Sequence, residues 1–277
     1  MNNENKLGRA ALLGGPQPLS THKLIYLTLF ITMVLIISSA AFSQDDPYAD
    51  PAEPGLPQTE MIASLANTAL VITDPQIDFL SPDGVTWGVV GESVQEQNTV
   101  EHIGDLLDAA KKAGMTVVIS PHYYYPTDHG WKFGGPLEKL MHAIGMFDRD
   151  GPLSLNEFEG SGADFMPQYK KYIEDGKTIV TSPHKVYGPE ANDLNLQLRK
   201  AGIDKVILAG MSANLCVQAH LHELLEMGYE VAVVRDATAA AKIPEGDGYL
   251  AALVNFRFIA NDLWTTKEAV ANILTAK

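Results

Sequence analysis

The chain has 277 residues, 46% of them hydrophobic, and a formal net charge of −14. That is enough apolar material for one sizeable core. The excess of acid argues against nucleic acid or an anionic membrane surface as a ligand, and serves solubility.

Residues 1–43 stand apart. A basic stretch ends at Lys23, and Leu24 to Phe42 is apolar with scattered Thr and Ser. Ala41 and Ser43 put small residues at the −3 and −1 positions before Gln44, the pattern of an export signal. The apolar run also approaches the length of a membrane span, so residues 1–43 read as a signal peptide or a membrane anchor. Either way the body is expected outside the cytoplasm, periplasmic or extracellular, touching a membrane only if this segment is retained. Losing residues 1–43 removes Lys6, Arg9, Lys23 and Glu4, which leaves the rest at −16. Residues 44–60, QDDPYADPAEPGLPQTE, are rich in Pro and acid and read as a disordered linker. One folded domain is expected over 61–277.

Within it, a helical pattern three times ends in Gly and runs within about one to three residues into a β-branched stretch. Gly114 leads into Met115–Ser120, Gly202 into Lys205–Ala209, and Gly228 into Glu230–Val234. Gly just past a helix, followed at once by a strand, is the joint of a βαβ protein. Ala69–Thr73 and Thr178–Thr181 add two strands, and a sixth is expected near Phe256–Ala260. The 3.6-residue spacing predicts helices over Val94–Ala113, Pro136–Ile144, Asn192–Ala201, Asn214–Met227, Gly248–Asn255 and Thr266–Leu274. Strands apolar on both faces suit a parallel sheet with helices on either side. An insert at about 121–165 is too long for a simple crossover and suits a substrate lid or a contact between subunits of a homo-oligomer.

In such a sheet, ligands bind beyond the carboxyl ends of the strands. The residues there include Asp74, His122, Lys185, Cys216 and Asp236. Cys216 is the only cysteine, and in an exported protein it has no internal disulfide partner. It sits where a strand turns into a helix, and backbone N–H groups and the helix dipole there are expected to lower its pKa. Singly, each residue has a plain explanation: Asp as a turn former, Lys as a solvated side chain, Cys as a small buried one. Together they are the parts of an activated-thiol hydrolase. Asp74 takes the thiol proton, Lys185 favours the thiolate, and N–H groups in the turn bind the oxyanion. Aromatic residues crowd the loops near this edge, and a run broken by Pro126 and Gly130 must cover something, so Tyr124 and Trp131 are assigned to the pocket.

From about Ala69 to Ile273 the chain resembles the isochorismatase-like cysteine hydrolases, which include nicotinamidases and N-carbamoylsarcosine amidase. Asp74-Pro75-Gln76-Ile77-Asp78-Phe79 is similar to the family's D-x-Q-x-D-F signature, Lys185 falls where the family has its lysine, and Gly210 to Val217 is similar to the G-x-x-T-x-x-C-V nucleophile turn. The resemblance implies a Rossmann-like three-layer αβα sandwich with a six-stranded parallel sheet. It also implies an Asp74–Lys185–Cys216 triad working through a thioester, a cis peptide at Met211–Ser212, and an oxyanion hole from the N–H groups of Ser212 and Cys216. Gln76, Phe79, His122, Tyr124, Trp131 and Tyr187 are expected to bind a small amide-type substrate, with no cofactor. Ala213 replaces the usual Thr, and Val186 to Asn192 departs from the family's pocket segment. Nicotinamidases carry a metal-binding Asp-x-His after the second strand, and this chain has His122-Tyr123-Tyr124 there. No metal is therefore assigned to His122, Asp128, His129 or His184. Two alternatives stay open: a metal-assisted nicotinamidase, and a non-catalytic binding or assembly protein on the same fold.

Overall fold

The central strands are apolar throughout because the sheet is covered on both sides. In the computed structural model, which describes residues 46–277, a compact unit runs from Pro51 to Lys277. The expected signal or anchor over 1–43 lies outside the described residues, and none of the described helices is long and apolar enough to cross a membrane. Residues 51–60 form neither helix nor strand and are exposed, and burial begins at Met61.

Six parallel strands build the sheet: β1 (Thr68–Thr73), β2 (Thr116–Ser120), β3 (Ile179–Val180), β4 (Lys205–Met211), β5 (Glu230–Ala239) and β6 (Asp262–Trp264). Their order is β3-β2-β1-β4-β5-β6, so the winding reverses between β1 and β4. Alternate residues serve opposite faces. Leu70 and Ile72 of β1 join one cluster with Ile103, Leu106 and Leu107 of α3 (Thr99–Ala113) and Ile273 of α9 (Thr266–Thr275). The other face is covered by α7 (Gln218–Glu226) and α8 (Gly248–Ile259), which pack on each other and on β5. The three glycine joints hold: Gly114, Gly202 and Gly228 all adopt the left-handed conformation that ends a helix.

Two expectations are corrected. The helix expected over Val94–Ala113 is broken at Asn98 (φ 50°) into α2 (Trp87–Glu96) and α3. Nor is Phe256–Ala260 a strand. Phe256 continues α8 and is buried, because a helix capped by the Asp247 carboxylate at Leu250 N–H carries its apolar stripe through to that position. The sixth strand follows it as the short β6, paired with β5.

The insert packs over the carboxyl edge of the sheet. Its α4 (Pro136–Ala143) and the following loop return to the segment after β1, where α1 (Ile77–Leu80) begins. There Ile77 N–H donates to Asp164 O at 2.9 Å, Asp78 N–H to Gly162 O at 2.9 Å, and Met166 N–H to Pro75 O at 3.1 Å. The Asp78 carboxylate, nearly fully buried, accepts from Phe147 N–H at 2.7 Å. Burial raises its pKa despite that bond. The remaining two helices, α5 (Pro167–Ile173) and α6 (Leu194–Lys200), lie on either side of β3 in the chain.

Candidate active site

The reversal point between β1 and β4 is where an open α/β sheet leaves a crevice at its carboxyl edge. Asp74 follows β1 and Cys216 follows β4, so the topology brings them together across about 140 residues of chain. Asp74 is fully buried and holds a left-handed backbone (φ 45°), a strained conformation for a residue with a side chain. Its N–H donates to Ser120 O at 3.1 Å, which ties the turn to β2. Beside it, Gly210 has φ 116°, and a Cβ there would stand 2.0 Å from Thr73 O. Only glycine lets β4 pass this close to β1 before turning into the cysteine loop. That loop carries the cis peptide at Met211–Ser212 and one π-helical turn, Ala213–Val217, which buries Cys216.

The partner of Asp74 is a histidine. His184 Nε2 lies 2.7 Å from Asp74 Oδ1, and both side chains are fully buried. The carboxylate only accepts, so Nε2 carries the proton of this bond. Asp74 Oδ2 has no hydrogen-bond partner. Donor atoms of Asp74, His122, His184 and Cys216 all lie within 4.8 Å of one another.

Lys185 is not among them, and its expected place beside Asp74 is corrected. Its Nζ donates to Asp128 Oδ2 at 2.6 Å and Tyr123 O at 2.9 Å, and stands 3.6 Å from the centre of the Tyr125 ring. The reason is register. His122 and His184 form a parallel bridge that extends the β2–β3 pairing, with one extra residue on the β3 side relative to Ile119↔Val180. Successive side chains in an extended segment face opposite ways, so His184 points to Asp74 and Lys185 to the insert.

The other expected residues divide between the site and its frame. His122 is fully buried, and its Nε2 is 2.8 Å from Lys185 O. That carbonyl fixes the proton on Nε2, and Nδ1 has no partner. Burial, with His184 adding to it, drives its pKa well below the ordinary histidine value. Gln76 is fully committed to the frame. Its amide donates to His122 O and Ala163 O, both at 2.8 Å, and its Oε1 accepts from His122 N–H at 2.9 Å. Phe79 packs edge-on against Phe147 at 5.2 Å, inside the core. Tyr124 is fully buried with an unpartnered hydroxyl, and its ring contacts His122 at 4.6 Å and Trp131 at 5.9 Å. Trp131 is 40% exposed, so these rings form a path from the buried cluster to the surface. Tyr187 is half-buried, close enough to Cys216 for its charge to add to the upward shift that burial gives the phenol.

Reading the residues one by one missed His220, four positions after Cys216. Its Nδ1 is 2.7 Å from Cys216 O and its Nε2 2.8 Å from Ser120 Oγ. The carbonyl can only accept, so Nδ1–H donates to it and Nε2 accepts from the serine hydroxyl. This buried, neutral imidazole anchors the cysteine turn to β2. The i, i+4 spacing was the available signal.

The thiol itself departs from expectation. Burial pushes the Cys216 pKa well above that of a free thiol, and the Asp74 charge adds to the push. The N–H groups of Ser212 and Cys216 act on the sulfur in the opposite direction and are outweighed. The lowered pKa expected of a helix start is therefore corrected: desolvation and a neighbouring carboxylate win. We expect alkylation of Cys216 by iodoacetamide to keep accelerating through the alkaline range. A rate that levels off near neutral pH would show a preformed thiolate instead.

Residues 68–268 match the isochorismatase domain. The chain belongs to the isochorismatase family. The ureidoacrylate amidohydrolase RutB of Stutzerimonas stutzeri is 28% identical to it over 203 residues, 71% of this chain and 78% of the relative. A solved cysteine hydrolase from Pseudomonas syringae pv. phaseolicola matches with a TM-score of 0.65 at 20% identity, covering 80% of this chain and all of that one. N-carbamoylsarcosine amidase from Thermoplasma acidophilum matches with a TM-score of 0.52 at 20% identity, over 72% and 96% of the two chains. At these identities the solved structures speak for the shared fold. The metal ligands of a nicotinamidase do not fit this isochorismatase-family chain. Tyr124 stands where Asp-x-His requires its histidine, Asp128 is paired with Lys185, and His129 is paired with Asp148 at 2.8 Å.

Proposed function

We propose that this isochorismatase-family hydrolase cleaves a small amide-type C–N bond through a thioester on Cys216, with Asp74 as the proton carrier and His184 as the partner that holds Asp74. The observation that carries the reading is the buried Asp74 carboxylate, bonded to His184 through Oδ1 and close enough to Cys216 to interact directly with the thiol.

The chemistry follows from those positions. The Cys216 thiol is neutral at rest, so its proton passes to Asp74 Oδ2 as the sulfur attacks the substrate carbonyl carbon. The carbonyl oxygen takes up negative charge and receives the N–H groups of Ser212 and Cys216, which already face the sulfur. Collapse of the tetrahedral adduct breaks the C–N bond, and the departing nitrogen takes the proton from Asp74. A water molecule then gives a proton to Asp74 and attacks the thioester carbon. The sulfur leaves, recovers that proton, and the acid is released. His184 keeps Asp74 turned toward the thiol and offers its N–H to whichever charge the carboxylate carries.

The relatives named for ureidoacrylate and carbamoylsarcosine direct the search toward ureido and carbamoyl compounds. We expect a panel of these, with nicotinamide and simple amides, to yield at least one substrate whose acyl group appears on Cys216 in the intact mass after acid quench. A substrate turned over with no adduct at any quench time would sink the thioester route.

A further inference from the structure

Four fully or nearly fully buried donors meet at the site: a carboxylate, two imidazoles and a thiol. Three of their polar atoms, Asp74 Oδ2, His122 Nδ1 and His184 Nδ1, have no hydrogen-bond partner. Buried polar atoms left this way are costly, and several in one cluster point to something that binds there. Lys185, which follows His184 in the chain, does not neutralise the cluster, because its ammonium is turned to Asp128.

We propose that Asp74, His122, His184 and Cys216 form a binding site for a zinc-class divalent cation. The donor set decides the class. Sulfur and imidazole nitrogen select zinc or a neighbouring transition metal over calcium or magnesium, which take oxygen. Zinc with ligand bonds of about 2.0–2.3 Å needs donor atoms roughly 3.4–3.8 Å apart. The four donors already lie within 4.8 Å of one another, at most about 1 Å wider than that spacing. The second shell is in place. The Lys185 carbonyl holds His122 Nε2, leaving Nδ1 as the lone pair a metal requires, and Gln76 clamps the His122 backbone on both sides.

Binding moves the His184 proton from Nε2, which faces Asp74, to the unpartnered Nδ1, releases the thiol proton, and ties the sulfur up as a metal thiolate. The cation then blocks the nucleophile, and substrate and metal exclude each other. That inhibitory meaning rests on the thioester reading above; the metal site does not.

Cobalt tests it in the whole protein. Co²⁺ added to one equivalent should produce the near-ultraviolet sulfur-to-cobalt charge-transfer band and visible bands of tetrahedral intensity, both removed by Zn²⁺. Cys216→Ala should lose the charge-transfer band, and His122→Asn should weaken cobalt affinity at least tenfold. On the unaltered protein, Zn²⁺ should raise the melting temperature and slow alkylation of Cys216, a check that needs no variant to fold. Absence of saturable one-equivalent binding, a charge-transfer band that survives Cys216→Ala, or unchanged affinity in His122→Asn overturns the proposal. The two readings separate cleanly. Cobalt binding without any acyl adduct keeps the metal site and removes the thioester, and acylation without cobalt binding does the reverse.

Discussion

Cys216→Ala is expected to lower turnover of any accepted amide by at least about 10⁴-fold while leaving the fold in place. The loss is large because no other described thiol can form the acyl intermediate, and small in stability because one buried sulfur is exchanged for a slightly smaller apolar group, on the order of 1 kcal/mol. Asp74→Asn should cost roughly 10²–10⁴-fold in kcat, since the amide has the carboxylate's shape but carries no proton away. It has a second signature. Removing the negative charge beside Cys216 takes away one cause of its raised pKa, so the thiol of Asp74→Asn should alkylate faster than the parent at the same pH. Stopped-flow kinetics with circular dichroism and a melting curve check both. A Cys216→Ala protein that still turns over its amide at the parent rate ends the reading.

His184→Ala and Lys185→Met are expected to separate chemistry from scaffolding. His184 is the buried partner of Asp74, and without it the carboxylate loses both its hydrogen bond and its orientation, for a fall in kcat of about 10²–10³-fold. Lys185→Met strips Asp128 of its counter-charge and frees the Tyr123 carbonyl at the start of the insert. That should lower stability by about 1–3 kcal/mol and leave kcat within about tenfold of the parent. Measuring kcat and melting temperature on both variants decides it. The reverse pattern, with Lys185 carrying the rate and His184 only the stability, would return the triad to the lysine.

Much of the scaffold was legible because it rests on local chemistry. The glycines at 114, 202 and 228 each stand where a helical pattern gives way to an apolar run, and few other residues hold the left-handed backbone of that joint cheaply. Five apolar runs bounded by turn residues suit strands of a covered parallel sheet, and all five are strands, although Val180 of the edge strand β3 stays 45% exposed. Phe256–Ala260 misled for the same reason: a short apolar run has no period long enough to tell a strand from the end of a buried helix, and only the Asp247 cap and contacts with the sheet chose the helix. Asn98, an ordinary polar residue in sequence, breaks the expected helix by taking a left-handed backbone, which asparagine adopts more readily than most residues.

By itself the sequence determined the strand-end residues Asp74 and Cys216 and the parallel sheet that carries them, all set by local conformation and apolar patterning. The tertiary structure decided the rest. One additional residue between Val180 and His184 sends His184 rather than Lys185 to Asp74, a difference of parity that spacing along the chain does not record. Burial, which is a property of everything packed around the thiol, overturns the local pull of two N–H groups and holds the Cys216 pKa above that of a free thiol.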